Sequence, residues 1–468
     1  MKGTRVTLLL LPLAGILLAA AGCGGGGGGG GSAPVPEARW TGIRQLGTLV
    51  SDDATGAAAD DNGNVYVVGK TFGDLDGKPN AGSSDIFLVK YGALGARLFT
   101  RLIGTAAAES DPRIAVDPGG NVYIAGTTGG LFAQDPAPSS PGNGDLFIAR
   151  LSPADGSIVW LRQIGGADNS GLIRTPEFGV SIAADNAGNV YVSGSTTGIL
   201  DGAAKTGTGP GDAITSDLFL MKLDAATGNR LWTRQHGTAE DDAAQDVAAA
   251  PDGGVVLCGD TFGILDGATA SPGAGTSLDL FVAKFDPAGA LAWVRQQGSA
   301  STDSATGTAI DNAGSVYATG YTAGDLDGNV NAGAGTLDLV LVKFDAAGNR
   351  LFTAQTGTAD DDGALGIGTD GGGRIYVAGL TAGEFVSPGA GFVDGFLIAF
   401  DAAGAVAFAR QFGSTGDDVV FDLAVGADGS VFLAGSTSGD LDGNDNGDPT
   451  EATSDLFVAK FSGDGVKQ

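Results

Sequence analysis

The sequence predicts an all-β fold, a seven-bladed β-propeller of four-stranded blades, and three observations predict it. One strand pattern recurs seven times along the chain. A second strand, always opening with Asp, follows each copy. A third recurs six times after these, and its seventh copy stands displaced at the front of the chain. Repeats take precedence over length here, because 468 residues would otherwise divide into about three domains on size alone.

The first pattern is a short strand ending in Gly: Asn64–Gly69, Asn121–Gly126, Asn189–Gly194, Gly254–Gly259, Ser315–Gly320, Arg374–Gly379 and Ser430–Gly435. Runs of Val, Tyr and Ile closed by glycine read as β-strand. The second strand opens at Asp85, Asp145, Asp217, Asp279, Asp338, Asp394 and Asp455. The third, typically aromatic-x-Arg-Gln-x-Gly, spans Phe99–Gly104, Trp160–Gly165, Trp232–Gly237, Trp293–Gly298, Phe352–Gly357 and Phe408–Gly413. The chain ends at Gln468 where a seventh is due, and Trp40–Gly47 supplies it at the other end. A propeller closed by its own N-terminal strand has no free edge within the ring. A linear solenoid would instead need polar capping repeats. The fourth strand of each unit, such as Ile182–Asp185 or Thr308–Asp311, is rich in small residues, as an innermost strand crowded around an axis requires.

Composition agrees. Glycine is abundant at 83 residues, yet 43% of the chain is hydrophobic, enough for a core punctuated by many turns. The net charge of −29 excludes sequence-independent nucleic-acid binding, which needs a basic surface, and charge-driven adsorption to anionic lipid. Only six of the fifty-four acids are Glu. Aspartate is both a turn residue and a calcium ligand.

The first 22 residues read as a signal peptide: Lys2 and Arg5, then a short apolar run from Val6 to Ala21. Ala20-Ala21-Gly22-Cys23 resembles the bacterial lipobox, whose Cys is lipidated, with Ala20 where Leu is usual; ordinary cleavage after Ala21 is the alternative. Residues 23–36, dominated by Gly24 to Gly31, form a flexible tether, and 37–468 form one propeller domain. The expected location is therefore the cell envelope, lipid-anchored to the outer membrane or cell surface. Cys258 is the only other cysteine, so no structural disulfide is expected.

Gly-Asn-Val-Tyr-Val-x-Gly, the Gly-x-Leu-Asp-Gly loop and Asp-x-Phe-Leu-x-Lys together resemble the SBBP-type β-propeller repeat of bacterial exported proteins. That resemblance implies the fold and an export habit, and no reaction. Leu223–Trp232 is also similar to a repeat of quinoprotein-type propellers.

Strand directions alternate within a blade, so the connection into the innermost strand and the loop between second and third strands share one face. All the long loops lie there, where binding usually sits. Thirteen residues before each repeat anchor stand Asp52, Glu109, Glu177, Asp242, Asp303, Asp362 and Asp418. They are expected to ring the channel mouth; the competing reading is a turn cap. The Leu-Asp-Gly loop gives Asp76, Asp201, Asp266, Asp327 and Asp442. In its last copy Asp440, Asp442, Asn444, Asn446, Asp448 and Glu451 fall at EF-hand-like spacing suited to Ca²⁺, with Asp445 in place of the turn Gly. The Trp–Arg alternation of the outer strands (Trp160 with Arg162, Trp232 with Arg234, Trp293 with Arg295) reads as stacking between blades.

Catalytic groups are scarce: His236 is the sole histidine, which disfavours a Ser-His-Asp site or a His-based metal site. The expectation is a monomeric, non-catalytic envelope or surface module binding a protein or polysaccharide through an acidic loop face, with Ca²⁺ as the one candidate cofactor. An envelope assembly scaffold and a quinoprotein-like or carbohydrate-active enzyme are the alternatives.

Overall fold

The computed structural model describes the chain except residues 1–39, 136–143, 166–179, 199, 201–214, 273, 387–388 and 445–452. The described residues form seven four-stranded antiparallel sheets, the seven blades of a propeller. Blade one shows the order from the axis outward: Asp52–Ala59, Val65–Thr71, Asp85–Tyr91 and Arg97–Ile103. Blade seven is assembled from both ends of the chain. Its inner three strands are Asp418–Val425, Val431–Thr437 and Asp455–Phe461, and its outer strand is Arg44–Leu46. Gln45 pairs with Phe457 in that register. The closing strand is three residues long, shorter than the Trp40–Gly47 segment read from sequence, because Trp40 leaves the ladder to pack as a side chain.

Burial follows position in the blade. The second and third strands of blade four, Val255–Thr261 and Asp279–Phe285, are buried along their whole length, which explains their unbroken apolar runs in place of an alternating pattern. The outer strand Leu291–Gln297 is only partly covered. The core lies between blades. One cluster joins Val65 and Val67 of blade one to Phe432, Ala434 and Val458 of blade seven, with Trp40 at its edge.

The glycine that ends each second strand has a steric cause. The inner strand of blade four carries a bulge between Ala244 and Asp246, opposite Gly259. The bulge drives the Ala243 carbonyl inward until it lies 1.9 Å from where a Cβ on Gly259 would be. Gly320, Gly379 and Gly435 meet the same obstacle at the same distance, from Ser304, Gly363 and Val419. A bulge bends the strand and re-aims side chains, and here it requires a partner without one.

Neighbouring blades are clamped at their outer edges. Trp232 lies against Gly289 in the turn of the next blade, and Arg234 donates to the carbonyls of Gly289 (3.0 Å) and Ala288 (2.8 Å). Its guanidinium carbon sits 5.1 Å from the Trp232 ring centre. The arginine therefore stacks on the aromatic of its own strand and bonds to the neighbouring blade, a division of labour the sequence pattern left open. Trp160/Arg162, Trp293/Arg295 and Phe408/Arg410 repeat it. In blade five Phe352 packs on Gly404 of blade six, but Ala354 stands where the arginine would be. Trp40 and Arg44 make the same clamp onto Gly95 of blade one (Arg44 Nε to Gly95 O, 3.0 Å), so the displaced strand closes the ring with the same contact that joins the other blades.

Candidate functional site

The acids expected at the channel mouth begin the innermost strands, and six of the seven are described; Glu177 lies outside the described residues. Asp52, Glu109, Asp242, Asp303, Asp362 and Asp418 are each 0% exposed. Their bonds match the competing turn-cap reading: these side chains fold back into their own turns. Asp242 accepts from the Thr238 amide (2.5 Å) and hydroxyl (3.0 Å), and from the hydroxyl of Thr261. Glu109 does the same with Thr105 and Thr128, its longer side chain reaching the same donors. Asp303 and Asp418 use Ser299 and Ser414. Burial pushes their pKa values up, to about 6 at Asp242, against the lowering effect of the hydroxyl and amide donors.

A second buried set, the aspartates opening each third strand, meets a group that sequence reading missed. Gln296 donates through Nε2 to Gly263 O (2.8 Å) and Asp279 Oδ2 (2.9 Å), and accepts from the Leu265 amide (3.2 Å). Gln45, Gln163, Gln235, Gln355 and Gln411 form the same three-way hub. In blade one Leu102 replaces the glutamine. The Gly two residues later is explained as well: a Cβ on Gly298 would lie 1.8 Å from Asp279 Oδ1. The recurring Gln-x-Gly was the available signal.

The Leu-Asp-Gly loops tuck their leucines into the core, Leu75 and Leu326 among them. Their aspartates hold the start of the outer strand: Asp76 pairs with Arg97 and Asp327 with Arg350. Asp201 lies outside the described residues, as do Asn446, Asp448 and Glu451 of the calcium-like loop. Among that loop's described residues, both Asp442 oxygens have protein partners, the Ile43 amide (3.1 Å) and Lys467 Nζ. Asn444 donates to Ile43 O and Leu441 O. Asp440 lies on the exposed side of the turn. No group of three or more Asp, Glu, His or Cys poised to hold a metal ion occurs among the described residues.

The position just past the inner-strand bulge, glycine in blades one, five and six, carries a charged residue in three others, which sequence reading passed over. Arg113, Asp246 and Asp422 occupy the position just past the bulge in blades two, four and seven. Each bonds to a neighbouring inner strand: Arg113 to Thr55 O (2.7 Å), Asp246 to the Thr308 amide (2.7 Å), Asp422 to the Ala57 amide (2.9 Å). Both aspartates keep partial exposure, and desolvation lifts Asp422 to about 7 and raises Asp246, opposed in both cases by Arg113. The opposite face has a cavity of about 530 Å³ where tight turns of blades one, five, six and seven meet, lined by Asp60, Asp61, Asp370 and Asp428 among others. Asp60 and Asp370 accept backbone amides of their own turns. His236 packs 5.1 Å from the Phe285 ring, and burial lowers its pKa.

Beside polar groups, the frame leaves apolar side chains exposed on the loop face. Leu49 (77%), Val330 (78%) and Phe392 (88%) stand out in solvent, with Phe72, Phe262 and Val386 also exposed. Phe72 and Phe262 occupy one register position, directly after Thr71 and Thr261. Their amides bond to Ser51 O and Asp241 O, each just before an inner-strand acid, so both rings stand beside the entry to an innermost strand.

Four segments, residues 42–76, 98–133, 159–201 and 292–327, match the family model SBBP, a beta-propeller repeat. Those four segments, about a third of the chain, are similar to that repeat. Among known proteins it is similar to the regulatory protein FlaEY of Caulobacter vibrioides, 25% identical over 445 residues, covering 89% of this chain and 39% of that protein. It is also similar to an uncharacterized WD repeat-containing protein of Acanthamoeba polyphaga mimivirus, 22% identical over 366 residues, covering 64% of this chain and 26% of that one. The chain thus spans well under half the length of either relative. Among solved structures, hydrazine synthase of Kuenenia stuttgartiensis matches at 10% identity and a TM-score of 0.49, covering 83% of this chain and 93% of that one. The Pan2 WD40 domain of Neurospora crassa matches at 11% and 0.45, covering 90% and 96%.

Proposed function

We propose that this chain is a non-catalytic binding module of the bacterial cell envelope, tethered through Cys23, which engages a macromolecular partner with its loop-bearing face. One observation carries the reading. The repeated polar residues, acids and glutamines alike, are buried in bonds within each blade and its entry turn, while the connections on one face vary in length and expose apolar side chains. Twelve residues link Thr381 to Asp394 and twenty link Thr196 to Asp217. A rigid frame with variable loops is the usual arrangement of a recognition surface. The regulatory designation of the Caulobacter relative accords with action by binding. Calcium enters this reading only through the loop from Asp440 to Glu451.

Site-specific blocking tests it. In a Cys23→Ser background, Val330→Cys on the loop face and Leu231→Cys on the outer rim are each coupled to a bulky maleimide polymer. Binding of the labelled chains to isolated envelopes should be lost with the first and kept with the second. Equal binding by both would overturn the reading, as would substrate turnover that survives the block. The Cys23→Ser chain itself should leave the membrane fraction.

A further inference from the structure

The loop face combines two properties that together specify a partner. The first is apolar anchors without cover: Leu49, Val50 and Phe72 at blades seven and one, Phe262 and Ile264 at blade four, and Phe392 at blade six. Val50 stands beside the Phe72 loop, since a Cβ on Gly73 would lie 2.9 Å from Val50 Cγ2 and the Phe72 amide bonds to Ser51 O, and Leu49 precedes Val50 in the same connection. Exposed apolar clusters of this kind rimmed by polar groups mark interaction sites, and aromatic anchors dominate the energetics of such surfaces.

The second is charge of one sign. Asp74, Glu240, Asp325, Asp360, Asp361 and Asp417 are exposed on the same connections. Lys78 is the one basic residue among the described residues of these loops. Lys70, on the strand behind them, lies with Nζ 5.9 Å from the Phe72 ring, so that ring already presents its face to a cation. The inner-strand acids play no part in this field, being buried in their turns.

We propose that the partner is a cationic polypeptide segment, rich in Lys or Arg, that carries aromatic or aliphatic side chains between its charges. The apolar residues seat on the exposed Phe and Leu side chains, and the bases meet the acidic rim. Complementary potentials govern encounter and discrimination, and the buried anchors set the dissociation rate. This rests on the binding reading above and names its ligand class; a polyanion is repelled by the rim, and a neutral glycan makes no use of it.

The test uses the full chain and three short fluorescent peptides, read by anisotropy at low and high salt. One alternates Lys with Leu and Phe, the second replaces Leu and Phe by Ser, and the third replaces Lys by Glu. The first peptide should bind, with affinity falling as salt rises, and the other two should bind at least about tenfold more weakly. The chain carrying Phe72→Ser, Phe262→Ser and Phe392→Ser should lose about tenfold for the first peptide with an unchanged melting temperature, as expected for exposed positions. Equal binding of the first two peptides, or full binding by the triple variant, would show only diffuse attraction to an acidic protein and overturn the proposal. If no peptide binds while the Val330 block still abolishes envelope binding, the partner is of another class and the binding function stands. If neither occurs, both fall.

Discussion

The backbone amide of Ile43 donates to Asp442 across 3.1 Å, joining positions 399 residues apart. The other oxygen of the same carboxylate takes Lys467 Nζ, so one aspartate holds both ends of the chain to the last blade. In blades one and five the equivalent aspartates hold Arg97 and Arg350. Blade seven, whose outer strand comes from elsewhere, supplies Lys467 in that role.

Loss of this latch should be measurable. Asp442→Ala should cost about 1–2 kcal/mol in urea unfolding, since partly exposed charged hydrogen bonds contribute modestly. Trp40→Ala should cost more, about 3–5 kcal/mol, because the ring is 4% exposed and packs on Tyr91 and Phe432. Losses of similar size for the two would mean that Trp40 contributes little beyond the strand it leads.

Gly259→Ala is expected to destabilise by more than about 2 kcal/mol, through collision with a backbone carbonyl that a bulge holds in place. Gly77→Ala, where nothing lies within reach of a new Cβ although φ is +67°, should cost only about 1 kcal/mol. Paired thermal melts check the ranking.

Stability should rise as pH falls from neutral toward 5. Asp242 in the native chain keeps its proton up to about pH 6, and Asp422 up to about pH 7, whereas unfolded aspartates release theirs near pH 4. Between those values the native state binds more protons, so stability is lost as pH rises through the window. Asp422→Asn should flatten the slope between pH 5 and 7 in a melting-temperature series. An unchanged slope would place the pH dependence elsewhere.

Ala354→Arg should stabilise by up to about 1 kcal/mol. It would restore the clamp that Arg295 makes in the preceding blade, where Nε bonds to Gly348 O. Arg234→Ala should show the opposite sign, and denaturant midpoints decide both.

Millimolar calcium should leave the melting temperature unchanged relative to EDTA, because Asp442 is already engaged at both oxygens. A saturable rise, removed by Asp448→Asn, would instead place a metal in the loop from Asp440 to Glu451. A ligand that binds only the folded form at a hundredfold its dissociation constant adds about 2.7 kcal/mol.

The architecture was legible because its signals are periodic: seven glycine-ended strands, seven Asp-led strands and a displaced Trp40–Gly47. The aspartates were legible as positions and misleading as chemistry. Register shows that Asp242 recurs, but whether a carboxylate faces water depends on the rotamer that meets Thr238 and Thr261. The Gly-Thr or Gly-Ser four residues upstream was the local clue. The Gln296 hub was missed because the recurring Gln-x-Gly marks only a strand end until the glutamine's partners, apart in sequence, converge on it. Arg113, Asp246 and Asp422 were visible as charged residues where blades one, five and six carry glycine, and went unread.

The borrowed outer strand also orders events in time. A ribosome delivers Arg44–Leu46 long before its pairing partner Asp455–Phe461. Through most of synthesis the blade-one turn at Gly95 and the strand meant to cover it can meet, but the ring cannot shut. The entropy of closing so long a loop grows only logarithmically, so the delay comes from vectorial synthesis. An unpaired strand edge stays open until that partner strand has been made, and the nascent chain is most exposed to wrong partners in that interval.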